Sequence, residues 1–157
     1  MKVTLIAIGK TDNTELQKLI ADYQKRLSHY VNFHLEIIPD IKNSKKYSET
    51  QQKEMEGNAL LKKLNTTDTL VMLDENGKHY TSMAFSEYLQ KKMNAGTKSL
   101  VFAIGGPYGF SETVYKRGQE KIALSKMTFS HQMIRLFFIE QLYRGFTILR
   151  NEPYHHK

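Results

Sequence analysis

Apolar residues along the chain alternate between unbroken runs and stretches with a helical repeat. Residues 3–8, 69–73 and 100–104 are short, largely apolar runs without regular alternation, the pattern of strands buried on both faces. Phe33, Leu35 and Ile37 alternate with His34 and Glu36, as a half-buried strand does, and Pro39-Asp40 ends that run. A fifth, shorter strand is predicted over residues 122–124. Between them, Leu16, Leu19, Ile20, Tyr23, Leu27 and Tyr30 fall on one helical face, opened by a capping-box pattern at Thr14 and Gln17. Ser48 and Gln51 offer a second capping box, with Met55, Ala59, Leu60 and Leu64 as the apolar side of the next helix. A helix over 82–94 stops at Gly96, Ser111 caps a short helix through Arg117, and a long last helix spans 131–149. Residues 42–46 read as a mobile basic loop, and Asn76-Gly77 as a tight turn after the third strand.

Strict alternation of strand and helix predicts an α/β fold, with an open, mostly parallel sheet covered by helices on both faces. No internal repeat or linker interrupts it, and 157 residues suit a single domain over 1–157. In such a sheet ligands bind beyond the carboxyl ends of the strands. Residues 104–110, Ile-Gly-Gly-Pro-Tyr-Gly-Phe, place a glycine-rich turn there. Gly105, Gly106 and Gly109 bring bare backbone close to a ligand, whereas the bland alternative is an ordinary tight strand-to-helix turn. The segments after the third, fourth and fifth strands converge on this edge.

Composition narrows the chemistry. The net charge of +7 favours a polyanionic partner, although many lysines lie on solvated helix faces. With no cysteine, disulfides, thiolate metal sites and cysteine nucleophiles are excluded. The apolar start is too short for a signal peptide and no run reaches membrane-spanning length, so a soluble, cytoplasmic protein without membrane contact is expected. The phosphate-loop, dinucleotide, hydrolase-elbow and zinc-protease motifs are absent. His155-His156 is a poor metal site on its own, and no metal is expected.

Five segments together resemble one family: Ile-Gly-Gly-Pro-x-Gly at 104–109, Leu-Ser-Lys-Met-Thr-Phe-Ser-His at 124–131, Arg135, Glu140-Gln-Leu-Tyr-Arg144, and the ending Pro153-Tyr-His155. They resemble the small SPOUT, or α/β-knot, methyltransferases that methylate N3 of a pseudouridine in large-subunit ribosomal RNA. The resemblance spans the chain. It implies a C-terminal trefoil knot, S-adenosyl-L-methionine as cofactor, a homodimer with its active site at the subunit interface, and the assembled ribosome (helix 69 of 23S RNA) as substrate.

Carried onto this sequence, it implies cofactor contacts at Leu73, Gly105, Leu124, Ser125, Lys126, Met127, Thr128 and Phe129. Each apolar member of that set would otherwise be read as core. The imide N3 must lose a proton before it is methylated. Arg135, Arg144 and Lys126 are candidates to stabilise the anion, and His131 or His155 to accept the proton. Tyr154, His155 and Lys157 are candidate RNA contacts. The arginines have a structural alternative, pairing with Glu140 along the helix. In the tail, His156 separates His155 from the basic Lys157, where the family pattern has the basic residue directly after the histidine. A basic RNA-binding module without catalysis, a SPOUT enzyme acting on another RNA, and an α/β enzyme of small nucleotides are the alternative functions.

Overall fold

A computed structural model describes residues 1–156. Its strands are β1 (Lys2–Ile8), β2 (Asn32–Ile38), β3 (Thr69–His79), β4 (Ser99–Ile104) and β5 (Glu120–Ala123). They form one sheet in the order β2-β1-β4-β3-β5, and every neighbouring pair is parallel. The helices are α1 (Thr14–Leu27), α2 (Glu49–Leu61), α3 (Ser82–Asn94), α4 (Glu112–Arg117) and α5 (Met133–Leu149).

Alternation along β4 divides the core. Leu100, Phe102 and Ile104 face α1, α3 and α5, where they meet Ile20, Leu89 and Phe138. Val101 and Ala103 face the opposite side, with Leu60 of α2 and Val114 of α4. Helices therefore cover both faces of the sheet, as the strand–helix alternation predicts. Phe102 and Phe138 are fully buried with ring centroids 4.7 Å apart; burial of such a side chain is worth about 2–3 kcal/mol.

Local signals are met in part. Ser48 and Gln51 form the expected reciprocal capping box on α2. On α1 the cap is Asn13 instead of Thr14: the Asn13 carboxamide oxygen accepts from the Leu16 amide at 3.0 Å, and Thr14 is the first helical residue. Leu19 lies 48% exposed, outside the face that Leu16, Ile20 and Leu27 bury. The basic stretch after β2 holds a short 3-10 helix, Ser44–Lys46.

The Asn-Gly pair does not reverse the chain. β3 continues through it to His79, and both Leu73 and Lys78 pair with Ile122 of β5, so residues 74–77 form an outward bulge. A methyl group on Gly77 would lie 2.6 Å from backbone atoms of Ile122, which is why only glycine fits there.

From the edge strand β5 the chain turns back across the carboxyl ends of β3 and β4 to reach α5, which packs against α1 and α3. Gln132 closes this passage on the segment after β1, accepting from the Asp12 amide at 3.0 Å and donating to the Lys10 carbonyl at 3.3 Å. The path is consistent with the C-terminal trefoil knot that the resemblance implies.

Candidate active site

The glycine turn ends β4 and is closed by the Gly109 amide donating to the Gly106 carbonyl at 3.0 Å. Gly109 has a φ of +81°, open to glycine at little cost. A methyl group on Gly105 would lie 3.1 Å from the Gly109 carbonyl carbon, so the turn is folded tightly on itself. Beside it opens a cleft of about 560 Å³, a size suited to a small-molecule ligand. Leu73 with Asp74 and Glu75 of the β3 bulge form one wall, Gly105 and Gly106 another, and Thr128, Phe129 and His131 a third.

A smaller hollow of about 130 Å³ shares Leu73, Thr128 and Phe129 with this cleft and adds Leu124, Ser125 and Met127. Seven of the eight expected cofactor residues thus gather at one edge of the sheet. Lys126, the eighth, is exposed and borders neither hollow. The 124–131 segment keeps its course through local bonds: the Met127 amide donates to Ser125 Oγ at 2.9 Å, and the Met133 amide to Ser130 Oγ at 3.1 Å. On its other side, Leu124 and Phe129 join Tyr80, Phe85 and Phe137 around an apolar hollow of about 300 Å³, with Glu140 at its edge.

Arg135 departs from the expectation of an RNA or transition-state contact. It is 1% exposed, and its guanidinium donates to the Ile8 carbonyl at 2.8 Å, Thr11 Oγ1 at 3.0 Å and the His131 carbonyl at 3.1 Å. With these bonds turned inward, it ties the start of α5 to the end of β1 and presents no charge to a ligand. Burial pulls its pKa down, while Asp40 and Asp12 oppose that shift.

Arg144 follows the pairing alternative. Its Nη2 donates to Glu140 Oε1 at 2.5 Å, and this bond, the largest influence, raises its pKa. Its guanidinium carbon lies 4.7 Å from the centre of the Tyr154 ring, and Nη1 is 3.2 Å from His155 Nδ1. Because a guanidinium only donates, Nδ1 accepts, and a neutral His155 carries its proton on Nε2. Tyr154 donates to Glu140 at 2.9 Å and meets the Tyr23 hydroxyl at 3.0 Å; burial, first, and these bonds push its phenol pKa up. The tail through His155 is thus folded onto α1 and α5, His156 is exposed, and Lys157 lies outside the described residues.

Met133 and Arg144 are separated by about 17 Å of helical rise and His131 precedes Met133, so one chain does not bring His131 and Arg144 together. Two participants escaped the sequence reading. Tyr23, assigned only to the core face of α1, anchors the tail. Glu56 is buried against the glycine turn, which its position one helical turn before the buried Leu60 signals.

The family described as "Predicted SPOUT methyltransferase" matches residues 1–155. A protein of Flavobacterium johnsoniae named ribosomal RNA large subunit methyltransferase H is 71% identical over 157 residues, with all of both chains covered. Proteins of the same name from Flavobacterium psychrophilum and Parabacteroides distasonis are 69% and 63% identical, again over the full length of both chains. On sequence and architecture together, the chain belongs to the SPOUT methyltransferase family.

Proposed function

We propose that the protein is a methyltransferase of large-subunit ribosomal RNA that binds S-adenosyl-L-methionine in the cleft beside the glycine turn and methylates N3 of a pseudouridine in helix 69 of the assembled ribosome. The observation that carries this reading is the convergence of Leu73, Gly105, Thr128 and Phe129 on one cleft, with Leu124, Ser125 and Met127 lining the hollow that adjoins it. The relatives' shared name and the net charge of +7 support an RNA substrate. A ribosomal substrate places the protein in the cytoplasm.

The residues present fit the cofactor. Leu73, Leu124 and Phe129 offer apolar surface to an adenine, and Gly105 lets backbone approach its polar edge. S-adenosyl-L-methionine supplies a methyl group already activated on a sulfonium, so the protein's task is alignment of the acceptor nitrogen. His131, exposed on the cleft wall, takes the N3 proton at a ring nitrogen. His155, with Nδ1 engaged by Arg144, serves as a hydrogen-bond donor through Nε2 instead of as the base.

Tyr154 and the Arg144–His155 pair contact the RNA, with Lys157 at the end of the same tail. Their distance from His131 along α5 is bridged when two copies of the chain meet. Phe129, Met133 and Phe137 are each more than a third exposed beside the cleft and supply an apolar face for that homodimer. The deciding experiment is transfer of labelled methyl from S-adenosyl-L-methionine to ribosomes, free large subunits and naked ribosomal RNA lacking the modification. Label on intact ribosomes, mapped to N3 of a pseudouridine, is the expected result. Cofactor binding without label on any of the three would send the search to another RNA, and no cofactor binding would favour a non-catalytic RNA-binding module.

A further inference from the structure

Glu56 is 3% exposed, in the middle of α2, and its Oε1 has no hydrogen-bond partner. Its carboxyl closes on the bare Cα of Gly106: a methyl there would lie 2.4 and 2.5 Å from the two carboxyl oxygens. The next residue is equally confined, since a methyl on Gly57 would lie 2.4 Å from Ser111 Oγ, the cap of α4. Glycine at 57 therefore lets α2 seat against the far end of the glycine turn, and that seating delivers Glu56 to its near end. Gly106 lines the cleft; Glu56 stands behind it and does not.

A buried acceptor without a donor costs stability, and an apolar side chain of similar length would remove that cost. Such a group calls for an explanation in function. The charged group facing it is another carboxylate, Asp40, beyond the end of β2, while Gln52 approaches from its own helix. Neither supplies a compensating cation.

We propose that Glu56 is a positioning residue of the donor cleft: from behind Gly106 its carboxyl fixes the Gly105–Gly106 peptide, and its free oxygen accepts an amide of the turn when the cleft is filled. Glu56 acts through the turn and does not touch the cofactor. The inference rests on the reading that S-adenosyl-L-methionine occupies this cleft.

The test is calorimetric titration of S-adenosyl-L-methionine into the full chain as wild type, Glu56→Met, Glu56→Gln and Gly105→Val, with melting temperatures for each. Glu56→Met keeps the volume and removes the acceptor; it is expected to bind at least tenfold more weakly while melting no lower than wild type. Glu56→Gln keeps an acceptor oxygen and is expected to bind within about threefold of wild type. Unchanged binding by Glu56→Met, or weaker binding accompanied by a matching loss of stability, overturns the proposal. Hydrogen exchange on the wild type needs no variant: cofactor should protect the amide of Gly105 or Gly106, and no change at either overturns the proposal as well. If Gly105→Val binds like wild type, the cleft reading itself fails. If Gly105→Val loses binding and Glu56→Met retains it, only the role of Glu56 fails.

Discussion

The Arg135 guanidinium donates from Nη2 to the carbonyl oxygen of Ile8 at 2.8 Å, joining residues 127 positions apart. With Thr11 and the His131 carbonyl as further acceptors, the bond network leaves the side chain no freedom to meet RNA. Arg135→Met should therefore lower stability by about 3 kcal/mol, because it strands buried acceptors at both ends of the contact. Urea denaturation measures this loss. At a temperature where the variant remains folded, the salt dependence of ribosome binding should match wild type, since no phosphate contact has been removed.

Gly77→Ala tests the bulge. The added methyl would meet the Ile122 backbone at 2.6 Å, so β5 has to move away from β3 or the bulge has to reopen. Overpacking of this kind costs about 1–3 kcal/mol. Calorimetry should show a melting temperature several degrees lower.

Arg144→Ala separates binding from turnover. Affinity for S-adenosyl-L-methionine should be unchanged, because Arg144 lies outside the cleft, while methyl transfer to ribosomes falls about a hundredfold. Sedimentation of the variant provides the check. Loss of a dimer would make the arginine an interface residue rather than an RNA contact.

Glu56 predicts a pH dependence of stability. Burial, and secondarily Asp40, raise its pKa in the folded protein, against the opposing influence of the nearby Gln52 carboxamide. The native state then holds this proton more tightly than the unfolded chain does. Stability from Glu56 is complete below the ordinary glutamic acid range and is lost as pH rises through the folded value. In Glu56→Gln that loss is abolished, so its stability relative to wild type should grow as pH rises above the ordinary range. Melting temperatures of both proteins across pH 4–8 give the difference directly.

The strands and helices were legible because their periods differ, and the glycine turn because glycine and proline mark it wherever they occur. The cofactor set came from resemblance, since Leu73, Leu124 and Phe129 have no pattern that distinguishes a ligand wall from core. Arg135 could not be placed from its own helix: its partners at Ile8 and Thr11 arrive only through the chain's return across the sheet. Asn76-Gly77 misled for a related reason. The pair has the chemistry of a tight turn, but parallel pairing with β5 resumes at Lys78 and keeps the chain running forward. Asn13 took the cap expected at Thr14 because both can serve, and one residue's shift in helix start decides between them.

Leu73 and Lys78 facing the same Ile122 means that the four residues between them take no part in setting the register of the sheet. Three of them, Asp74, Glu75 and Asn76, border the cleft. Two carboxylates and a carboxamide therefore stand at the mouth of the cleft on a loop outside the strand pairing, while the last residue of that loop, Gly77, is held against the Ile122 backbone.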